Sequence, residues 1–203
     1  MPFRNPFKKQ RHPNPAIHDL YVKKDTVDPA LEKLVADLPN MAEAIRQGTA
    51  SLLQKTLIDQ IAEYDKRTGR ELSKRIDKDK SEAMRQKLTG MMLLAFYEEI
   101  AGAFKDPELP SYLTSALHYE LYRVIPKDEG FVEYLHYQNP HFEDPAMAPA
   151  HKFGNDIAAI LSISDQLFYL IIAQQAVVIS DVSKQLIRWV LFDEAITPPS
   201  SAP

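Results

Sequence analysis

The chain of 203 residues contains no cysteine and only six glycines. Without cysteine it has no disulfide bond, no thiol nucleophile and no cysteine-ligated metal. Its few, scattered glycines exclude a glycine-rich phosphate-binding loop, and the G-x-S-x-G and H-E-x-x-H patterns are also missing. A signal peptide is not expected, because the first residues lack an apolar stretch. The sequence therefore predicts no catalytic residue, and we expect a cytoplasmic protein.

Most prolines lie at the two ends or in short clusters between runs of apolar residues with helical spacing. This pattern predicts an all-α fold, a single-domain helical bundle of about six or seven helices with a long, kinked or split C-terminal core helix. The predicted domain covers residues 26–195. An extended, basic, proline-rich arm (residues 1–25) precedes it, and a disordered tail (residues 196–203) follows.

Proline and glycine also predict where the first helices begin and end. Pro29 suits the first position of a helix, and Pro39 is expected to end it. The next helix is expected from residue 41 to 68, because Gly69 is a favourable residue at a helix C-terminus. Its apolar face drifts after Gly48, which predicts a bend.

Several polar residues are candidate helix caps. Asp79 and Glu82 have the spacing of a capping box, and Ser111 can cap the helix that follows. Asn155 or Asp156 is expected to cap the long C-terminal helix.

The apolar segment Ile157 to Ile179 is long enough to cross a membrane, which takes roughly 20 residues. It carries Asp165 and three glutamines, however, and a carboxylate at the bilayer centre costs about 2.5–3.5 kcal/mol. We therefore expect a helix that is buried on most sides within a soluble protein.

The polar residues of this segment change direction along the helix. At 100° per residue its first half carries one stripe of small and polar side chains, which are Ala158, Ala159, Ser162, Asp165, Gln166, Tyr169 and Ala173. The polar stripe after Ile179 is rotated by roughly 80° from it. Either a kink near Gln174 to Ala176 or a second helix beginning at Ser180 would explain this change.

Charge is distributed unevenly along the chain. Residues 1–87 carry a net charge of +5 and residues 88–203 a net charge of −9. Acidic residues interrupt the basic run Lys66 to Lys87, which argues against nucleic acid and for a solvated surface. The basic N-terminal region could still bind an anionic membrane surface or nucleic acid as a peripheral protein.

The segment from Tyr112 to His151 contains the candidate metal ligands. Glu120 lies in the apolar stripe of its helix, so it needs a proton, a metal or a partner such as Arg, Lys or Tyr. Glu133 and His136 form an E-x-x-H pair, two of which bind metal in di-iron bundles. Only one such pair occurs here, which favours a mononuclear over a dinuclear site at Glu120, Glu133 and His136. Further candidate ligands are Glu98, Glu99, His118, His141 and Asp165.

Three functional hypotheses follow. The preferred one is a non-catalytic helical interaction or assembly protein that self-associates. The second is a helical-bundle metal-dependent enzyme or ligand-binding protein, and the third is the peripheral binder of nucleic acid or anionic membrane. Under the first, the contact residues are expected to be Tyr119, Tyr122, Tyr137, Ser162, Asp165 and Tyr169, because aromatic side chains are enriched at interfaces.

Overall fold

The computed structural model describes residues 12–23, 29–123 and 147–192. Their α-helices are α1 (Pro15–Lys23), α2 (Pro29–Leu52), α3 (Asp59–Thr68), α4 (Lys78–Ala103), α5 (Leu109–Tyr122), α6 (Ala148–Ile160) and α7 (Gln166–Phe192). A π-helical turn (Leu53–Ile58) joins α2 to α3, and a 3-10 turn (Ser73–Arg75) precedes α4. These three ranges contain no strand, so the predicted all-α class is confirmed.

The chain divides into two compact units. The first consists of Met1–Ala44, Phe96–Lys127 and Lys184–Pro203, and the second of Ile45–Ala95 and Asp128–Ser183. The single-domain boundary at residues 26–195 remains a prediction.

In the first unit, α1 packs against α5. Ile17, Leu20 and Tyr21 are buried, so the prediction of an extended arm is wrong for Pro15–Lys23. The side chain of Asn14 accepts a hydrogen bond from the Ala16 amide (3.2 Å) and thereby caps the helix. Proline at the next position suits a helix start, and burial of the apolar face against α5 outweighs the extended bias of the other prolines.

Helix α2 continues through Pro39, where the sequence predicted an end. The ring removes one backbone hydrogen bond, a cost of about 3 kcal/mol in a helix interior. Leu34 and Leu38 before the proline and Met41 after it are all buried on one face. Their combined burial exceeds that cost, so packing keeps the segment helical.

The core of the second unit contains side chains from α3, α4, α6, α7 and the π-helical turn. Its buried members include Leu57, Tyr64, Leu88, Phe153 and Phe168. The π-helical turn begins five residues after Gly48, in the stretch where the drifting apolar face indicated a bend.

Helix α3 ends as predicted at Gly69, which has a left-handed φ of 71°. Its amide donates to the carbonyl of Asp65 (2.8 Å). The start of α4 differs from the prediction, because Asp77 rather than Asp79 accepts from the Lys80 amide (2.9 Å). Glu82 instead forms a bidentate pair with Arg85 (2.7 and 2.8 Å).

Several basic residues of the run from Lys66 to Lys87 form ion pairs with acidic residues in or next to it. Within the described part of the chain, such pairs are Lys66 and Arg67 with Glu63, Lys74 with Glu71, and Lys80 with Asp77. These contacts fit a solvated surface of mixed charge.

Asp65 orders the connection between α3 and α4 from a buried position. Its carboxylate accepts from the amides of Leu72 (2.9 Å) and Ser73 (2.7 Å) and from the Ser73 hydroxyl (2.6 Å). Burial alone would raise the pKa of Asp65, but these hydrogen bonds bring it below its usual value.

Replacing Asp65 should therefore destabilise the protein. We expect Asp65→Ala to cost about 1–3 kcal/mol in the free energy of unfolding, because buried amide donors lose a charged acceptor. Urea unfolding at neutral pH measures this loss. Asp79→Ala, an exposed position near the start of α4, is the control and should change stability by at most about 0.5 kcal/mol. Equal losses in both variants would contradict the role assigned to Asp65.

Candidate functional site on the last two helices

The segment predicted as one helix from Ile157 to Ile179 is broken between α6 and α7. Helix α6 ends at Ile160, and α7 runs without interruption from Gln166 to Phe192. The predicted positions for a break, at Gln174 to Ala176 or at Ser180, are therefore wrong. Asn155 and Asp156 lie inside α6 and do not cap the long helix.

A Schellman arrangement ends α6. Ser162 adopts a left-handed φ of 55°, its amide donates to the Ala159 carbonyl (3.0 Å), and the Ile163 amide donates to the Ala158 carbonyl (2.9 Å). Glycine is usual at the left-handed position. Because the residue here is serine and not glycine, the sequence did not predict this helix end.

Asp165 immediately precedes α7 and links the start of this helix to α3. One carboxylate oxygen accepts from the Leu167 and Phe168 amides (2.9 and 3.3 Å), as an N-cap does. The other accepts from the Tyr64 hydroxyl (2.7 Å) and pairs with Arg70 (3.0 Å). The hydrogen bond from Tyr64 is the main cause of the lowered pKa of Asp165, and backbone amides and the charge of Arg70 add to it.

Tyr64 reaches Asp165 from within the core. Its ring packs edge-on against Phe168, with 5.2 Å between centroids. Burial raises the pKa of Tyr64, and its hydrogen bond to the carboxylate raises it further. The phenol therefore stays a hydrogen-bond donor at neutral pH.

Helices α6 and α7 approach closely at Gly154. A Cβ atom there would lie 3.0 Å from the Tyr169 carbonyl oxygen and 3.2 Å from the Ala173 Cβ. Tyr169 also stacks on the buried His151, at 5.6 Å between centroids, and hydrogen-bonds to its Nδ1. Burial lowers the pKa of His151, so its ring is neutral at pH 7.

The predicted contact residues of this region thus have intramolecular roles. Asp165 caps α7, Tyr169 packs against α6, and Ser162 ends α6 at an exposed position. Of the small and polar stripe that the sequence indicated, Ala158 and Ala173 are buried and Asp165 and Tyr169 are half-buried, while the remaining members are exposed. Contacts of these residues with another molecule remain a prediction.

The opposite side of α7 has an apolar face that the described residues leave exposed. Leu167 is 57% exposed, Leu170 47%, Val178 46% and Val182 38%. With the exposed Gln174, these residues form what we call the α7 face. The expectation that this helix would be buried on most sides is wrong, since only one side, which includes Phe168, Ile172 and Ile179, enters the core.

Helix α7 is also long and apolar enough to cross a membrane by length and composition alone. Of its most apolar stretch, 33% is buried in the protein. A buried core helix meets the same criteria, so this finding leaves membrane contact as a prediction.

The candidate ligand Glu120 forms an ion pair and a hydrogen bond with other residues of the chain. Arg123 pairs with it at 2.9 Å, and the Asn14 amide donates to it at 3.0 Å. Asn14 uses its second hydrogen to bond the Ala116 carbonyl (2.9 Å), so this buried amide links α1 to α5. The ion pair is the arrangement expected for Glu120 without a metal.

Glu133, His136 and Tyr137 lie outside the described residues, so the predicted metal site stays a prediction. In residues 12–23, 29–123 and 147–192, no group of three or more His, Asp or Glu side chains is arranged to hold a metal ion. Tyr119 lies 5.9 Å from the Arg123 guanidinium, measured to the ring centroid. Tyr122 is exposed and packs at 4.7 Å against His118, so both tyrosines remain candidate contact residues.

A cavity of about 670 Å³ lies beside Glu120 in the first unit. Ile17, Val35 and Leu38 contribute apolar walls, and Glu32 lies on its polar side. Tyr21, another lining residue, has a pKa raised to about 12 by burial and by the charge of Glu32. The cavity offers room for a small ligand of mixed polarity.

The contacts of Asp165 at the start of α7 lead to a prediction about stability and pH. We expect Tm to fall from wild type to Asp165→Asn, which loses the charge, and further to Asp165→Ala, which also loses the cap. Because the folded pKa is lowered, this stabilisation is present above the unfolded pKa of about 4 and is lost as pH falls through the folded pKa. Thermal unfolding at several pH values tests both points. Asp19→Asn, at an exposed site on α1, is the control; equal Tm values for all four proteins would contradict this role.

The close approach at Gly154 gives a second prediction. In Gly154→Ala the new methyl group must displace a backbone oxygen, so we expect a loss of about 1–3 kcal/mol. Gly102→Ala in α4 is the matched control, because its methyl group would meet no atom within 4 Å. Alanine there gains up to about 1 kcal/mol of helix propensity. Chemical denaturation distinguishes the two, and equal stabilisation by both changes would show that α6 and α7 are not closely packed.

Comparison with known proteins adds no functional assignment. No family model matches the chain, and neither a curated protein nor a solved structure matches it. The candidate site therefore has to be interpreted from its own geometry. What distinguishes it is the α7 face, on a helix whose other side is anchored by Asp165 and Gly154.

Proposed function

We propose that this chain is a non-catalytic helical assembly protein that self-associates through the α7 face. The observation that supports the proposal is the exposure of four large aliphatic side chains in one row. Single exposed apolar residues are ordinary on a protein surface, but contiguous apolar surfaces mark interaction sites. Large aliphatic side chains dominate the α7 face, and the exposed Asp181 lies among them, so we expect its partner surface to be mainly apolar, as a second copy of the face is.

The energetics fit a reversible complex. Completing the burial of a half-exposed leucine or valine contributes about 1 kcal/mol. Two copies of the face bring eight such side chains, and association itself costs roughly 4–15 kcal/mol. The gain exceeds the lowest estimate of that cost by about 4 kcal/mol, so we expect a weak complex with a dissociation constant of roughly 1 mM.

A rigid support makes the face suitable for binding. Leu167 follows the cap at Asp165, and Leu170 follows Tyr169, which packs against α6. Interface residues on an ordered helix lose little further conformational freedom when they bind. A cytoplasmic location is part of the proposal, since the cysteine-free chain suits a reducing compartment.

A ligand-binding function is the second candidate, because a cavity lies beside Glu120. In this form Glu32 would attract a cationic group, since Glu120 is already paired with Arg123, and the apolar walls would hold the rest of the ligand. The metal-dependent form rests on Glu133 and His136 and has no further support. Peripheral binding through the basic N-terminal region is the third, and the ion pairs along residues 66–87 weaken it.

Self-association is tested by comparing two variants with wild type. Light scattering and sedimentation over a wide concentration range should show that wild type forms dimers or larger species. Leu170→Glu with Val178→Glu should be monomeric, because an interface would have to bury two unpaired charges per copy. Val22→Glu is the control, since Val22 is equally exposed (51%) but lies on α1. It should associate as wild type does.

A wild type that stays monomeric at all concentrations would reject a second copy as the partner. Flotation of that monomer with lipid vesicles, abolished by the double substitution, would then assign the face to a membrane surface. Retained association in the double variant would place the contact elsewhere on the molecule. Circular dichroism of each variant confirms that its helices are intact.

A further inference from the structure

One face of α2 lines the cavity of the first unit. Glu32, Val35, Ala36 and Pro39 all contribute to the lining, and their spacing along the sequence places them on the same side of the helix. Residues of α1, of the short segment before it and of the end of α5 complete the lining. The volume of about 670 Å³ suits a small molecule.

Pro39 leaves a backbone acceptor on this face of α2. Proline has no amide hydrogen, so the carbonyl of Val35, four residues earlier, lacks the donor that it would have in a regular helix. Both residues line the cavity. A ligand that carries an N–H group can therefore supply the hydrogen bond that the helix does not make.

The charges around the cavity favour a cationic donor. Of its two carboxylates, Glu120 is already paired with Arg123. Glu32 forms no ion pair with the residues that the structure describes. The charge of Glu32 acts on the lining of the cavity, since it adds to burial in raising the pKa of Tyr21 to about 12. A carboxylate and a carbonyl about one helical turn apart thus offer two acceptors to a protonated amine.

We infer that this cavity binds a small primary amine with an apolar body, whose ammonium group donates to the Glu32 carboxylate and the Val35 carbonyl. An ammonium group has three N–H donors and no acceptor, so it can bond to both oxygens at once. The apolar body would contact Ile17 and Leu38. The inference rests on the ligand-binding candidate described under the proposed function and specifies its ligand. It is independent of self-association, because the cavity and the α7 face share no residue.

Three probes with the same hydrocarbon chain test the ligand class. NMR titration of the full-length, isotope-labelled protein with hexylammonium should give saturable shifts and a dissociation constant on the order of 1 mM, the range for so small a ligand. Hexanol keeps the chain without the charge and should bind about fivefold more weakly. Hexanoate should bind weakest of the three, because its carboxylate is repelled by Glu32.

Four variants assign the contacts. Glu32→Gln should weaken hexylammonium binding about fivefold and leave hexanol binding unchanged. Asp37→Asn removes the same charge from α2 outside the cavity and should bind hexylammonium as wild type does. Pro39→Ala restores the amide donor to the Val35 carbonyl, so the ammonium loses an acceptor and hexylammonium binding should weaken. Ala36→Phe, at an exposed position, should abolish binding of both probes because its ring fills the cavity.

Absence of saturable shifts with all three probes would overturn the inference together with the ligand-binding candidate. Hexanol or hexanoate binding as tight as that of hexylammonium would overturn the amine class and leave a site for apolar ligands. Hexylammonium binding that is unchanged in Glu32→Gln or in Pro39→Ala, or weakened equally in Asp37→Asn, would also overturn it. Circular dichroism confirms that the helices of each variant are intact. None of these results affects the proposed self-association, which light scattering measures separately.

Discussion

The candidate site depends on the hydrogen bonds and the ion pair of the Asp165 carboxylate. It caps α7 with one oxygen, and with the other it holds Tyr64 and Arg70, which lie about a hundred residues earlier in the chain. Hydrogen bonds to ionised groups are stronger than neutral ones, and the lowered pKa keeps this group ionised at neutral pH. The same residue therefore decides where the helix begins and how it is oriented on the core.

That orientation separates the two sides of α7. Phe168 enters the core next to the ring of Tyr64, while the neighbouring Leu167 is left exposed. Gly154 then allows α7 to approach α6 closely, and the Tyr169 hydroxyl forms a hydrogen bond with His151. Asp165, Tyr169 and Ala173 on one edge of the helix thus make contacts within the chain. The aliphatic residues that remain exposed form the α7 face, and this is why we propose the contact there and not on the polar stripe.

Sequence analysis succeeded where a local rule decides the outcome. The helix end at Gly69 was predictable because only glycine adopts a left-handed φ without cost. It failed where distant contacts decide. Ser162 takes the same backbone region without being glycine, and Pro39 continues a helix because Leu38 and Met41 are buried around it. The ion pair of Glu120 was one of the partners expected from its position in an apolar stripe, but the choice of Arg123 and Asn14 needed the packing of α1 on α5.

The sequence by itself determined the all-α class, the start of α2 at Pro29, the end of α3 before Gly69 and the absence of thiol chemistry, because apolar spacing, turn residues and composition act locally. Only the tertiary structure decided which apolar residues of α7 are buried. Hydrophobic periodicity identifies a face but not what covers it, and a helix apolar on two sides has no local signal for the side that enters the core. The contact with Tyr64 and the close approach at Gly154 made that choice, and they come from chain segments that the local sequence of α7 does not contain.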